Sequence, residues 1–476
     1  MKALACVRKV SYIKPVRYFN YLLWGESVMK INVWFIFFFG ALGGLLFGFD
    51  TGIISGASPL IESNFKLTVA ETGFVTSAVL IGSAAGALGV GPLADRFGRK
   101  KLLILASLFF IAGSLMTAFA TGFGTMAIAR IVLGLAVGSA SALTPAYLAE
   151  LAPAKHRGSL GSMFQLMITA GILLAYVSNL GFLGHDFMGI RDWRWMLGSA
   201  LIPAVLLFIG GLLLPESPRF LFAKGDKENA ERVLTHLRAK SGESVEAELA
   251  AMAEVDKQPK GGLKDLFTIA RPAVIVAIGI MFLQQLVGIN SVIYFLPQVF
   301  IKGFGFNEAN AIWISVGIGV VNFVVTILAT MIMDNFNRKT LLTFGSVVMT
   351  VALAILTVLN YTVSVETAAI PTMLLIATYI FGFAISWGPI AWLLIGEIFP
   401  MSVRGIGSSI GSAANWIGNF LVSQFFLVLL AVFHNNVGGP FGVFAVFAFI
   451  SIFFVRYLVP ETRGKSLEEI EMELRK

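Results

Sequence analysis

Charge is what this chain is short of. Asp, Glu, Lys and Arg make up 13% of its 476 residues, against roughly a quarter in an ordinary soluble domain. That shortage excludes a soluble multidomain protein, whose surface needs charge. Cysteine is scarcer still: Cys6 stands alone, so no disulfide can close within one chain. The four histidines, His156, His185, His236 and His434, fall in separate segments without ligand spacing, which leaves metal chemistry no site. Nucleophile elbow, Walker loop and dinucleotide fingerprint are all missing, and with them the usual starting points for an enzyme.

What is present is apolar. Hydrophobic residues reach 57%, with 42 Phe and 49 Gly, and Gly enrichment marks membrane helices, where small residues let backbones approach closely. Runs of about 20 apolar residues, the length a helix needs to cross a bilayer, predict twelve spans. They lie at roughly 32–57, 71–93, 101–121, 124–151, 158–183, 194–214, 271–301, 308–334, 339–361, 368–397, 403–432 and 438–459. One long polar stretch, residues 215–267, rich in Glu, Lys and Ala at helical spacing, divides six spans from six. The expected fold is an all-α membrane protein of twelve transmembrane helices in two six-helix halves. Its expected parts are an N-terminal extension (1–30), an N half (31–214), a helical linker (215–270), a C half (271–460) and a C-terminal tail (461–476).

The net charge of +8 would suit nucleic acid, but the basic residues sit between apolar spans. Topology explains them better. Of the 35 Lys and Arg, 29 fall in the N-terminal tail, the loops after even-numbered spans and the C-terminal tail. The opposite loops hold only Lys66, Arg191, Arg194 and Lys302, while Arg130 and Arg456 lie within or at the edge of spans. Cytoplasmic loops carry the basic excess, so both termini are expected in the cytoplasm. The first 30 residues lack the long apolar core and cleavage site of a secretory signal. Two readings of them stand open: a membrane-surface helix of alternating basic and aromatic residues, or an extension ahead of a functional start near Met29.

The halves repeat each other. "DRFGRK" (95–100) returns as "DNFNRK" (334–339), "AELAPAKHRG" (149–158) as "GEIFPMSVRG" (396–405), and "PES" (215–217) as "PET" (460–462). The offsets are 239, 247 and 245 residues, close to constant. Parallel duplicated halves with a site near the midplane describe secondary transporters that rock one half against the other. The repeated charges suit a cytoplasmic gate of ion pairs that form in one state and break in the other. They are Asp95, Arg99, Glu150, Arg157, Glu216 and Arg219, with Asp334, Arg338, Glu397, Arg404, Glu461 and Arg463 opposite. The alternative is that they are helix caps and topology anchors.

With "FGFD", "GPLADRFGRK", "RIVLGLAVGSASALTPAYLAELAPAKHRG", "PESPR", "QQLVGIN", "WGPIAWLLIGEIFP" and "PETRG" in order, the chain after residue 30 resembles the sugar porter family of the major facilitator superfamily. The nearest likeness is to bacterial galactose, arabinose and xylose proton symporters. One departure stands in the repeat: Asn337 replaces Gly98, and the turn is expected to survive because Asn tolerates a left-handed backbone.

Polar side chains within spans tend to face the bundle interior. Span 7 holds Gln284, Gln285 and Asn290, followed by Tyr294, and positions 284, 287/288, 291 and 294/295 would recur on one helical face. Gln165, Asn322 and Asn415 lie in spans 5, 8 and 11. Uncharged amides both donate and accept, which suits a neutral polyol; Phe47, Trp392 and Trp416 can stack on a sugar ring. The resemblance implies that Gln165, Gln284, Gln285, Asn290, Asn322, Trp392, Asn415 and Trp416 bind a monosaccharide, whereas isolated membrane amides serve as glue between helices. Ile172 and Asn415 stand where xylose-type symporters carry Gln, which favours a hexose over a pentose.

Asp50 is the remaining puzzle, a carboxylate in the apolar run of span 1. Burial of such a group costs on the order of 2.5 to 3.5 kcal/mol on insertion scales. The resemblance pairs it with Arg130 as a proton-coupling couple, Asp50 the acceptor and Arg130 its switchable partner; the plainer reading is an ion pair that staples spans 1 and 4. Facilitative carriers of the family commonly lack this acid, and the mammalian type has a Glu in span 10 where Ala384 stands here. The expected function is proton-coupled monosaccharide uptake by a monomer in a bacterial inner membrane, in contact with lipid, with the proton as coupling ion, no further cofactor and no nucleic acid. A facilitative uniporter or a sugar sensor is the alternative.

Overall fold

The computed structural model describes residues 33–152, 157–239, 244–256, 262–268, 270–333, 335–400 and 403–463, without the side chains of 33–34, 157–162, 251, 254–256 and 263. The N-terminal extension, the tail beyond Arg463, Asp334 and the Arg157 side chain therefore lie outside the described residues. Those described are helical, apart from loops and one isolated bridge between Phe187 and Ile190. Twelve stretches are long and apolar enough to cross a membrane, the number hydropathy predicts.

Spans 1 to 6 are α1 (Val33–Phe65), α2 (Val69–Phe97), α3 (Arg99–Ala118), α4 (Phe123–Leu151), α5 (Arg157–Phe182) and the pair α6 (Asp192–Ser199) and α7 (Leu201–Leu213). The linker supplies α8 (Pro218–Ala223), α9 (Lys227–Arg238), α10 (Val245–Asp256) and α11 (Leu263–Thr268). Span 7 is α12 (Arg271–Leu286) with α13 (Ile289–Phe304), and spans 8 and 9 are α14 (Glu308–Ile332) and α15 (Arg338–Thr362). Span 10 is α16 (Val365–Gly382), a π turn (Phe383–Trp387) and α17 (Gly388–Glu397); α18 (Arg404–Val432) and α19 (Gly438–Leu458) complete the chain.

Sequence patterning missed three features of these spans. First, α1 does not stop near residue 57 but runs through Pro59 to Phe65. Proline forfeits one backbone bond, yet the next turn buries Ile61 and gives Glu62 a partner across the molecule. Second, span 7 is two helices. Gly288 sits at φ +92°, and a Cβ there would lie 2.2 Å from the Phe444 ring, so glycine is required. The single face drawn through 284, 287/288, 291 and 294/295 is thereby broken between two axes. Third, Asn337 is not left-handed: it caps α15 at φ −65°, ψ 136°. The turn is made upstream instead, where the Asn335 N–H donates to the Ile332 carbonyl at 2.9 Å. Gly98, at φ +97°, has no such freedom, because a Cβ there would stand 2.2 Å from the Glu216 carboxylate.

Small residues set how the spans cross. Gly44, Gly48, Gly52 and Gly56 form a stripe with four-residue spacing along α1, pressed on α5. A Cβ at Gly48 would lie 1.8 Å from the Ile168 carbonyl oxygen, so no larger residue fits this crossing. Likewise α4 lies on α2 where a Cβ at Gly134 would meet the Val79 carbonyl at 2.0 Å. These crossings pair α1 with α5 and α2 with α4; Gly43, where a Cβ would lie 2.2 Å from Thr144 Oγ1, seats α1 on α4 and so brings Asp50 toward Arg130.

The repeated motifs explain each other. In the N half the Glu216 carboxylate of "PES" accepts from the backbone N–H groups of Arg99 (2.9 Å), Lys100 (3.2 Å) and Ser217 (2.9 Å). In the C half Glu461 of "PET" accepts from Arg338 (3.0 Å) and Lys339 (3.1 Å). Each carboxylate sits at the start of a membrane helix, where the first N–H groups lack partners and the dipole favours negative charge. Burial still pushes Glu216 above the usual carboxylate range, against the pull of those donors and of Arg99.

Candidate functional site

A cavity with about 480 Å³ of empty space, part of it open to solvent, lies between the two halves. Nine of the eleven residues singled out for substrate line it: Phe47, Gln165, Ile172, Gln284, Gln285, Asn290, Asn322, Trp392 and Asn415. Among the described residues no charged side chain joins them. Tyr294 and Trp416 stand behind the wall. Trp416 is buried against Phe47, ring centroids 5.1 Å apart, and Tyr294 is buried near Asp50 and Thr51 on the far side of the Gly288 break.

The amides are organised in pairs. Gln284 donates from Nε2 to the Trp387 carbonyl at 2.7 Å and accepts from Asn415 Nδ2 at 2.7 Å. Asn290 donates from Nδ2 to Gln285 Oε1 at 2.8 Å, a bond across the helix break. Each amide has two donor hydrogens and a two-lone-pair acceptor, so each pair keeps capacity for a guest. Ile168, Thr169, Ile289, Ile293, Phe383 and Gly388 also line the cavity, and none of them was singled out from the sequence. Ile168, Thr169 and Ile172 follow Gln165 at three, four and seven residues, a periodicity that was legible. Phe383 and Gly388 were not, because the π turn rotates span 10 locally.

Asp50 lies outside that lining, although Phe47, one turn earlier, faces it. Its carboxylate is bonded by the Arg130 guanidinium, and both side chains are shut from solvent. Arg130 reaches further to the carbonyls of Val75 (3.4 Å) and Thr76 (3.3 Å) on α2. The pair thus ties α1, α2 and α4 within the N half, next to the cavity but not in it.

In the bonds described, the expected gate charges group within each half. Arg99 pairs with Asp95 and with Glu150, each at 3.1 Å. Arg338 donates to the Met333 carbonyl, Arg404 Nε to the Phe399 carbonyl at 3.4 Å, and the Arg463 N–H to Glu461 at 3.0 Å. Arg219 is exposed and Glu397 half-buried. In the linker, Arg238 binds Glu248 at 2.9 Å and donates to the carbonyls of Leu151 (2.9 Å) and Ala152 (3.1 Å), closing the C-terminal end of α4. Bonds that join the halves appear at the opposite end, which carries the 1–2 and 7–8 loops. There Lys302 meets Glu62 at 2.9 Å, and Gln298 reaches Ser58 (3.2 Å) and Glu62 (3.1 Å).

An uncharged, amide-lined cavity between duplicated halves, with a buried acid at its flank, is the layout of a solute carrier. The family model described as "Sugar (and other) transporter" matches residues 36–474. The chain belongs to that family. As a member of the family it is an integral, multi-pass membrane transporter and not an enzyme. It is 45% identical to the D-xylose transporter of Levilactobacillus brevis, over 94% of this chain and 96% of that one. It is 39% identical to the galactose-proton symporter of Escherichia coli (strain K12), over 94% and 95%. Among solved structures, the inward-open conformation of the xylose transporter XylE from E. coli superposes with a TM-score of 0.79 at 30% identity, covering 93% of this chain and 100% of that one.

Proposed function

We propose that the protein carries a monosaccharide into the cell together with a proton, by alternating access between its two halves. The observation that carries this reading is the cavity itself. Six neutral amides from spans 5, 7, 8 and 11 meet there with no charged side chain among the described residues, which suits hydroxyl groups that donate and accept and offers an anion or cation no counter-charge. The relatives named for xylose and for galactose with a proton support the same substrate class. Between hexose and pentose we favour hexose, on Ile172 and Asn415 in the cavity wall.

Asp50 and Arg130 are the proposed coupling pair. With Arg130 close, Asp50 stays ionised; as the halves rock and the pair parts, loss of the cation favours proton uptake. Because the pair lies beside the cavity, coupling acts through the position of α1, whose Phe47 faces the sugar site. The basic-residue distribution supports a cytoplasmic location for both termini and for the Arg99 and Arg338 loops. The end closed by Glu62 and Lys302 is then extracellular, in a bacterial inner membrane, with the single chain as the working unit among lipids.

A second reading has its own observation. Arg130 divides its donors between Asp50 and two carbonyls of α2, as a static staple would, and a uniporter needs no more. Uptake of radiolabelled sugars into vesicles with an imposed pH gradient separates the two. Wild type accumulates its sugar against a concentration gradient when the outside is acid. Asp50→Asn loses accumulation and keeps sugar exchange. Accumulation that persists in Asp50→Asn sinks the coupling role, and uptake of none of the sugars sinks the substrate class.

A further inference from the structure

We infer that Trp387, Ser346 and Ser451 are positioning residues that orient Gln284 from behind the cavity wall. The inference rests on the proposed reading of the cavity as the substrate site. None of the three lines the cavity. Trp387 is wholly buried at the end of the π turn of span 10. Its indole Nε1 donates to Ser346 Oγ at 2.8 Å and to the Leu342 carbonyl at 3.2 Å, both on span 9. Ser451 of span 12 places its hydroxyl 2.8 Å from Ser346 Oγ and 2.7 Å from the Ala448 carbonyl. Spans 9 and 12 therefore grip the π turn through one tryptophan.

The same residue faces the site with its backbone. The Trp387 carbonyl accepts a hydrogen bond from Gln284 Nε2, and Gln284 Oε1 accepts one from Asn415 Nδ2. Span 9 presses this turn closely: a Cβ at Gly345 would lie 1.8 Å from Ser386 Oγ, and the Ser386 hydroxyl binds the Gly382 carbonyl at 2.6 Å. A glutamine side chain has several rotatable bonds to freeze, and fixing it before the guest arrives removes an ordering cost from binding. The indole anchor fixes the carbonyl, the carbonyl fixes the amide, and the amide fixes its partner Asn415. A π turn lacks the regular bonding of an α-helix, so the external grip has something to correct.

The test is sugar exchange in proteoliposomes with tritiated D-xylose, D-galactose and D-glucose, on Trp387→Phe, Ser346→Ala and Ser451→Ala, each alone and with Gln284→Ala. Trp387→Phe keeps an aromatic ring and removes the donor. Losing one hydrogen bond's worth of orientation raises the half-saturating sugar concentration about three- to tenfold. The maximal exchange rate stays near wild type, and the fall in melting temperature that loss of a buried bond brings does not track the rise in half-saturating concentration across the three variants, a split that general loosening of the bundle would not produce. In the Gln284→Ala background the same changes have no further effect, because the group they act through is gone.

Full additivity with Gln284→Ala, or an unchanged half-saturating concentration in Trp387→Phe and Ser346→Ala, overturns the inference and leaves the cavity reading standing. If Gln284→Ala itself behaves as wild type with each sugar, the cavity reading falls and this inference with it. Should Trp387→Phe fail to fold, Ser346→Ala carries the same test with a smaller change in volume.

Discussion

The two ends of the interface between the halves are built on opposite plans. At the end bearing the 1–2 and 7–8 loops, the halves are bonded to each other: Glu62 to Lys302, Gln298 to Ser58 and Glu62, and Ser77 to Gln424 at 2.8 Å. At the other end the bonds described run within a half or to the linker, as with Arg99 to Glu150, Glu216 to the start of α3 and Arg238 to the end of α4. The cross-half bonds at the end with the 1–2 and 7–8 loops are few and, apart from Gln298 to Ser58, partly exposed, while deeper in, Tyr176 donates to the Ile293 carbonyl at 2.9 Å. A surface ion pair is worth about 0 to 1 kcal/mol and a neutral hydrogen bond about 0.5 to 1.5 kcal/mol, so the closed end is held by little enough to open. The Asp50–Arg130 bond inside the N half is buried and opposes unfolding. The difference teaches which contacts define the fold and which define the state.

Breaking a bond of the first kind has the largest effect. Arg130→Met leaves the Asp50 carboxylate buried without its cation, and stranding one partner of a buried pair costs about 3 to 5 kcal/mol. The expected result is a large fall in melting temperature in detergent, partly reversed by adding Asp50→Asn. A single mutant as stable as wild type would show that water already reaches the pair. Next in size is the cap at Glu216. Glu216→Ala strands three N–H groups and costs about 1 to 2 kcal/mol, as lost caps do, while Glu461→Ala in the looser C-half copy costs less. Because burial raises the Glu216 carboxyl, its titration favours the folded state at low pH, and that gain is lost as pH rises through the raised folded value. Glu216→Gln is therefore milder than Glu216→Ala, with the gap between them read by melting at neutral pH.

Much of this frame was legible in the sequence, for identifiable reasons. Twelve spans follow from run length alone, and the repeat showed in three short motifs. That "PES" and "GRK" touch was not legible, since nothing local records a contact between Glu216 and Arg99 across 117 residues of chain. The amides could be named because their chemistry is rare in a membrane. Tyr294 and Trp416 missed the wall because a positive φ at Gly288 and the packing of Trp416 on Phe47 are decided by tertiary contact. Lys302 stood out as one of four basic residues on the sparse side, but Glu62 was read as loop, and the pair that closes this end went unseen.

Cross-half bonds should move the conformational equilibrium and leave stability nearly alone. Glu62→Ala removes the acceptor of both Lys302 and Gln298, a loss of about 1 kcal/mol for a pair that is a quarter exposed. Cys6→Ser supplies a cysteine-free background, and Ser291→Cys places a thiol at a buried position on α13 between the cavity and Lys302. Labelling by a membrane-impermeant maleimide is expected to quicken about fivefold in Glu62→Ala, with a melting temperature close to that of the parent. High salt should quicken the parent and leave Glu62→Ala unmoved, because screening acts only on the intact pair. A melting loss as large as that of Glu216→Ala would place Glu62 with the fold-defining bonds instead.

The smallest effect belongs to Ser77→Ala, and it is the most discriminating. Ser77 donates to Gln424 on α18, whose side chain also reaches the Ala70 carbonyl at 3.3 Å near the surface. Solvent can replace the lost partner there, so the cost is about 0.5 kcal/mol, a little over twofold in an equilibrium constant. Ser77 and Glu62 sit on different pairs of spans. If the halves rock as rigid bodies, both bonds oppose one motion, and Ser77→Ala speeds labelling at Ser291→Cys about twofold, multiplying with Glu62→Ala. If spans 2 and 11 can part while spans 1 and 7 stay closed, Ser77→Ala leaves that thiol untouched, and the end opens piecemeal rather than as one gate.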